Sequence, residues 1–354
     1  MQRYVQFSKR CEIVVESRVW LPTGRILNMT NPGAEDGLLV SDFREIKTSM
    51  GEGRILPAKT DAILDAKTNA FLESFVTGPL KDAIVLLAAK RAMLREDIGE
   101  LRTLALGSSH GDHGFDPQFC DGSFNLCSRT QDLKHSYALY ETTSKLAPNL
   151  KNIVVFYSVF SAGFFMENTR SEKILSPALN GLFSLGMKYE ENRFAAISEQ
   201  IRDTFTDFAI QLEGRHGFLP KWVQIITPES YGAARRANDH LKWKNSDANL
   251  YLIKIIRLAK HLKHNLCIVI PPVRSDYREA VGIGSAKLFQ ELLDICGEFQ
   301  ISSMLNCYDG VGFADEYFGD FDHLLPEGTG PKLLTRAIDA ELRRVEVSMK
   351  VREQ

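Results

Sequence analysis

The chain has 354 residues, 44% of them apolar, with 43 basic and 45 acidic side chains and a formal net charge of −2. That length buries one large core or two modest ones, and balanced charge gives no electrostatic reason to expect a nucleic-acid or anionic-membrane partner. The longest apolar stretch, Ala83 to Ala89, falls far short of the ~20 residues a membrane-spanning helix needs, and no apolar run follows Met1 as a secretory signal requires.

Residues 1–60 mix short β-leaning pieces, Glu12–Val15 and Gly37–Val40, with turn residues such as Asn31-Pro32-Gly33. Periodicity then predicts helices over roughly 60–76 and 79–97; in the second, Leu80, Ile84, Leu87 and Arg91 recur every three or four residues. Residues 1–98 are therefore expected to form a mixed, partly helical N-terminal extension. An α/β domain is expected over 99–354.

From Thr103 the rhythm is strand, loop, helix. Thr103–Leu106 is a buried run, Phe124–Cys127 a short second strand and Ser128–Leu146 a helical stretch. Asn152–Val159 is a near-continuous β-branched and aromatic strand, the pattern of a parallel strand buried on both faces. The stretch 160–247 is too long for a simple crossover. It is expected to be an insertion holding a helix over Glu190–Leu212 and an extended piece over Trp222–Ile226. Leu252, Ile255, Ile256, Ala259 and Leu262 mark an amphipathic helix. Asn265–Ile270 is the next strand, stopped by Pro271-Pro272, because proline cannot donate to a ladder. Ala286–Cys296 reads as a helix, Ile301–Cys307 as the last strand, and about 330–348 as a closing helix with Leu334, Ile338, Leu342, Val345 and Met349 on one face. Strands alternating with helices of this length imply a flavodoxin-like three-layer α/β/α fold with a mostly parallel sheet. Cys11, Cys120, Cys127, Cys267, Cys296 and Cys307 show no C-x-x-C spacing. They read as reduced core thiols of a cytoplasmic protein.

Two segments carry residues suited to chemistry. The first strand ends in Gly107-Ser108-Ser109-His110-Gly111, and a strand-to-loop break of this kind exposes a serine beside backbone N–H groups. After the last strand comes Asp320-Phe321-Asp322-His323. In D-x-x-H the carboxylate of Asp320 can fix the tautomer of His323 and leave its other nitrogen facing a serine. Asp322, adjacent to the histidine, is expected to point away if the segment is extended. Both segments would meet at the carboxyl edge of one sheet, where open α/β folds place their sites.

Those two blocks resemble the SGNH (GDSL-like) hydrolase superfamily, with elements in matching order over about residues 100–350. The resemblance implies Ser109 as nucleophile, His323 as base and Asp320 as its orienting carboxylate. The family's oxyanion hole does not carry over in the same way; the candidate donors here are Ser109 N–H with Ser128, Asn238 or His240, and no cofactor is expected. The stretch from Ser108 to Pro117, followed by Phe124-Asn125-Leu126, is also similar to proteins associated with bacterial surface-polysaccharide synthesis. That likeness implies an esterase or O-acyltransferase acting on O-acyl, above all O-acetyl, groups of a carbohydrate or acylated glycan, with glycan-assembly partners and with His110 and Asn125 at the substrate. The chain departs from the family in three places. Ser108 stands in the aspartate slot of Gly-Asp-Ser, Cys127-Ser128-Arg129-Thr130-Gln131 lacks the glycine of the second block, and Gly-x-Asn-Asp is missing after the third strand, its nearest substitute being Ala237-Asn238-Asp239-His240.

Two other readings stay open. His110-Gly111-Asp112-His113 is similar to the latter part of the metal motif of metallo-β-lactamase-like hydrolases, although without further ligands at recognisable spacing. In the serine reading His110 and His113 line the site's mouth or sit on its surface, and no metal is expected. Loss of the second and third blocks would also suit a non-catalytic binding or scaffold subunit, since fold alone does not settle function. The basic stretch Arg235-Arg236 and Lys242-Trp243-Lys244 is a solvated helix face or, beside a site, a contact for an acidic glycan or a nucleotide-linked donor. No phosphate-binding loop for an acyl donor is visible, which favours hydrolysis over transfer.

Overall fold

The computed structural model describes residues 17–20, 26–29, 64–76, 78–206, 212–223, 225, 227–243, 247–301 and 303–352. Glu12–Val15, Gly37–Val40 and Cys11 lie outside the described residues. Strands β1 (Ser17–Trp20) and β2 (Ile26–Met29) pair antiparallel. Two helices follow, α1 (Ala66–Glu73) and α2 (Pro79–Asp97). Asp65 caps α1 by accepting from Thr68 N at 2.8 Å, and Pro79 starts α2 where its missing N–H costs nothing.

The α/β core then runs β3 (Thr103–Leu106), α3 (Ser109–Gly114), β4 (Ser123–Asn125), α4 (Leu133–Leu146) and β5 (Asn152–Phe156). Within 160–247 lie α5 (Leu175–Phe183), α6 (Asn192–Phe205) and α7 (Ala233–Leu241). The chain finishes with α8 (Asn249–Leu262), β6 (Asn265–Ile270), α9 (Ser275–Val281), α10 (Ser285–Leu288), α11 (Gln290–Glu298), β7 (Ser303–Asn306) and α12 (Thr329–Arg352). β3 to β7 form one sheet in the order β4-β3-β5-β6-β7, every pair parallel. No described helix is long and apolar enough to cross a membrane.

Side chains alternate across a strand with period two, and the sheet sorts its apolar residues accordingly. Leu104, Leu106, Ile153, Val155, Ile268 and Ile270 enter one core with α2, α4, α8 and α11; Ala105, Val154, Phe156, Cys267 and Val269 enter a second, closed by Leu334, Ile338 and Leu342 of α12. The result is three-layer α/β/α. Each of the three α12 residues is worth about 1.5–3 kcal/mol when fully buried. α2 falls in the stretch assigned to the extension, yet its Ile84, Leu87 and Ala88 are buried in the same core as β3.

Several boundaries differ from the sequence expectation. The helix expected from Ser128 begins only at Leu133, because Asp132 caps it by accepting from His135 N at 2.8 Å. Residues 128–131 are left as a loop. Ala286–Cys296 breaks at Phe289 into α10 and α11. The helix expected over 190–212 is confined to Asn192–Phe205, and the described residues of 222–226 form no strand. Cys120, Cys127, Cys267 and Cys296 are buried free thiols. Burial pushes Cys120, Cys267 and Cys296 up to about 12, which leaves them poor nucleophiles.

Candidate active site

β3 stops at Gly107, whose φ of +138° suits glycine. A Cβ there would sit 2.7 Å from Cβ of Phe156 on the neighbouring strand. Gly111, one turn into α3, is tighter still: a Cβ would lie 2.4 Å from Cys127 Sγ. The two glycines let α3 press against the sheet edge, with Ser109 as its first residue. The first N–H groups of any helix lack intrahelical acceptors, and Ser108 offers no side-chain cap. Among the described residues no acceptor takes the Ser109 N–H, so Ser109 presents a hydroxyl and a backbone donor together.

The second segment folds as a tight turn. Asp320 Oδ1 accepts from Asp322 N at 3.0 Å and from His323 N at 2.8 Å. The same carboxylate lies 2.9 and 3.0 Å from His323 Nδ1. With Nδ1–H donating to Asp320, Nε2 is left as an acceptor, and Ser109 Oγ sits 2.8 Å from it. A serine, an imidazole and a carboxylate 214 and three residues apart are thus joined in one hydrogen-bonded chain. Asp320 is fully buried and Ser109 half-buried.

Asp322 does not point away. Because Asp320 captures both following N–H groups the segment is curled rather than extended, and Asp322 turns inward to complete burial. It accepts from Arg236 Nε at 2.8 Å and Arg236 Nη2 at 3.0 Å, and its Oδ2 lies 3.0 Å from His110 Nε2. Its other oxygen is 3.7 Å from His323 Nδ1. His110 in turn places Nδ1 2.9 Å from Ser158 Oγ and 3.1 Å from Ser108 Oγ. Neither His110 nor His113 is at the surface; both are buried. Their rings flank His323, with centroids at 4.9 Å for His110 and 4.8 Å for His113.

Charge is distributed unevenly over these three imidazoles. Burial lowers the pKa of His110 and carries His113 well below the usual histidine value, which favours the neutral form of each. Burial also pulls His323 down, but the attraction of Asp320 and Asp322 outweighs it and the pKa ends raised. Asp320 is held low despite its burial because His323 faces it. Asp322 lies well below the usual carboxylate range; burial opposes this, and His323 and Arg236 overcome it. Of these three imidazoles only His323 has its pKa raised.

The expected oxyanion and substrate residues fall in varied places. Ser128 N–H is used by Gly107 O at 3.0 Å, and Ser128 Oγ is 3.0 Å from the Gln131 amide. Asn238 is exposed on α7. His240 lines the cavity, but its Nδ1 is 2.7 Å from Tyr277 OH, and burial takes its pKa well below the usual value. Asn125 is fully buried: its amide donates to Gly111 O at 2.9 Å and Phe115 O at 2.7 Å and accepts from Cys127 N at 3.0 Å. Asn125 therefore fastens α3 to β4 and has no polar atom left for a substrate.

The loop after β4 holds what the sequence did not reveal. Thr130 has φ +54°, a left-handed conformation rare for a β-branched residue and costing about 1–3 kcal/mol. Among the described residues no acceptor takes the backbone N–H of Arg129 or Thr130, and both residues line the same cavity as Ser109. Lys90, also buried, donates to Asp112 Oδ1 at 2.6 Å and to Cys127 O at 2.7 Å, tying this loop to α3.

His110, Asp112 and His113 do not converge on a metal position, since Asp112 faces Lys90 and His110 faces Asp322. The ligand atoms that do come together, within 4.8 Å, belong to His110, Asp322 and His323. Arg236 already supplies the positive charge there, bonded to Asp322.

The cavity above Ser109 and His323 measures about 510 Å³, within the ~300–1,000 Å³ typical of small-ligand sites. No family model and no curated protein matches the chain. Among solved structures, one provisionally assigned as a platelet activating factor from Streptococcus pneumonia is 14% identical, with a TM-score of 0.39, covering 78% of this chain and 99% of that chain. A superposition of that quality bears on neither the chemistry nor the substrate.

Proposed function

We propose that this protein is a serine-dependent esterase of the SGNH type, with Ser109 as nucleophile, His323 as general base and then acid, and Asp320 holding the imidazole in the productive tautomer. The observation that carries this is the chain of contacts from Ser109 Oγ to His323 Nε2 at 2.8 Å and from His323 Nδ1 to Asp320 at 2.9 Å, on the floor of an open cavity. Serine hydroxyls are weak nucleophiles until a base takes the proton; here the base is in contact and its partner carboxylate is buried.

In the first half-reaction Ser109 Oγ bonds to the ester carbonyl carbon while its proton passes to His323 Nε2. Collapse of the tetrahedral intermediate breaks the bond to the alcohol oxygen, which takes that proton. In the second half a water attacks the acyl-enzyme with His323 again as base, releasing the acid and restoring Ser109. A sugar hydroxyl in place of water would make the same site an O-acyltransferase. Charge on the carbonyl oxygen is met by Ser109 N–H and by the unused N–H groups of the Arg129–Thr130 turn. In this reading the left-handed Thr130 backbone takes the place of the missing glycine. The substrate class, an O-acetyl ester of a carbohydrate, rests on the sequence resemblance.

p-Nitrophenyl acetate turnover tests this mechanism. Wild type should turn over, and Ser109→Ala and His323→Ala should each lose about 10⁴-fold or more in kcat/KM. Turnover that survives Ser109→Ala would remove Ser109 as nucleophile.

A further inference from the structure

The walls of the cavity carry a pattern that the triad does not use. From the floor outward, aromatic rings meet in sequence. Phe160 lies 4.7 Å from His240, Phe164 5.3 Å from Phe160 at 71°, and Trp243 5.0 Å from Phe164 at 87°. Edge-to-face contacts of this kind hold each ring in one orientation. They hold a half-buried Trp243 in the wall of the cavity that Ser109 also lines.

Four of the five cations lining the cavity are matched by carboxylates, Arg170 being the fifth. Lys90 pairs with Asp112 at 2.6 Å, Arg129 with Glu172 at 2.9 Å, Arg236 with Asp322 at 2.8 Å, and Lys242 with Asp239 at 3.3 Å. Arg170 is exposed at the mouth. Three of the four carboxylates, Asp112, Glu172 and Asp239, themselves face the cavity. Along this paired wall, away from Arg170, an anionic ligand would have to break these pairs or stand beside the carboxylates. Either is unfavourable, and selection against a competitor often works by such repulsion. Paired charges still offer hydrogen bonds to neutral hydroxyls, while an aromatic wall takes an apolar face.

We infer that the alcohol part of the ester is an uncharged pyranose, its C–H face packed on Trp243 and its hydroxyls directed to the Arg129–Glu172 and Lys242–Asp239 pairs, and that the cavity discriminates against anionic sugars. This specifies the substrate of the proposed esterase and rests on that assignment. A fatty acyl chain fits the same wall less well, because the polar pairs at Arg129 and Lys242 would be left facing it.

The test separates binding from chemistry. Saturation-transfer NMR with full-length Ser109→Ala protein uses mono-O-acetyl methyl glucopyranosides, the same acetates of glucuronic acid methyl glycoside, and p-nitrophenyl octanoate. The neutral sugar acetate should bind with saturation strongest on ring C–H protons, and the uronate about tenfold or more weaker. Trp243→Leu should weaken the neutral sugar roughly 2- to 10-fold, the span expected of an aromatic contact. Trp243→Phe, which keeps the aromatic face, should hold most of the affinity and guards against a folding defect in the leucine variant. Uronate binding equal to the neutral sugar, octanoate binding in preference to both, no neutral binding at millimolar concentration, or indifference to Trp243→Leu would each overturn the inference. Fluorophosphonate labelling of wild type reads the nucleophile separately. Labelling without sugar binding removes only the substrate assignment, and sugar binding without labelling removes only the serine mechanism.

Discussion

Among the described residues stand two Ser–His–Asp chains of nearly equal geometry. In one, Ser109 Oγ is 2.8 Å from His323 and His323 is 2.9 Å from Asp320. In the other, Ser176 Oγ is 2.8 Å from His135 and His135 is 2.7 Å from Asp132. Distances alone do not tell them apart. Surroundings do. Ser176 and His135 are wholly buried and outside the cavity. Ser176 Oγ is shared with Glu167 and Tyr189 at 3.1 Å each, and Asp132 is committed to capping α4 and to accepting from Met166 N at 2.8 Å. That arrangement clips the 166–176 segment onto α4. Ser109 instead opens a helix, keeps an unused N–H, and faces a cavity. A catalytic constellation is defined by access and by donors for the oxyanion as much as by its hydrogen bonds.

Paired variants sharpen the contrast. The largest effect is expected from Ser109→Ala, with about 10⁴-fold or greater loss of kcat/KM, against Ser176→Ala, which should keep turnover while lowering Tm. Parallel ester hydrolysis and thermal melts check both, and equal losses of activity would erase the distinction. Next, Asp320→Asn should cost about 10³–10⁴-fold by favouring the wrong histidine tautomer, with near-native Tm.

The third effect lies in the pH profile. His323 must be neutral to act as base, so kcat/KM rises with pH through its raised pKa. Around it stand Ser109, His110, Asp112 and His113 from the helix side, Asp320 and Asp322 from its own loop, and Arg236 and His240 from α7. Arg236 opposes the charged imidazole, so Arg236→Gln should move the acid limb to higher pH. Asp322→Asn should move it to lower pH. Either variant should lower the plateau by up to about 100-fold through misplacement; identical profiles in all three proteins would remove the Asp322–Arg236 pair from any tuning role.

The smallest effect on activity belongs to the clip. Asp132 is held below the usual carboxylate range; burial opposes this, and His135 overcomes it. A depressed folded-state pKa contributes stability above the unfolded pKa that is lost as pH falls through the folded one. Asp132→Asn should therefore cost about 1–3 kcal/mol near neutral pH and progressively less in acid. Urea titrations at several pH values check this, and a cost that grows in acid would contradict the sign.

How much of this the sequence disclosed follows from where each contact lies. β3 and β6 were readable to the residue because short apolar runs are bounded by Gly107 and by Pro271-Pro272. The meeting of Ser109, Asp320 and His323 was readable because Asp320 and His323 are close in sequence and Ser109 follows a strand end. Asp322 was misplaced because its partner Arg236 is 86 residues away, in an insertion with no periodic signature. Asn125 invited a ligand role from its neighbours in sequence, whereas its amide is consumed by Gly111, Phe115 and Cys127. The Arg129–Thr130 turn was hidden inside an expected helix, since nothing local announces that Asp132 rather than Ser128 is the cap.

Intact-mass and peptide mapping of the native protein after reaction with a fluorophosphonate tests the central claim most directly. One stoichiometric adduct on Ser109, absent from Ser176 and lost in Ser109→Ala, is the predicted result. An unlabelled protein, or an adduct elsewhere that persists in Ser109→Ala, would contradict the serine mechanism.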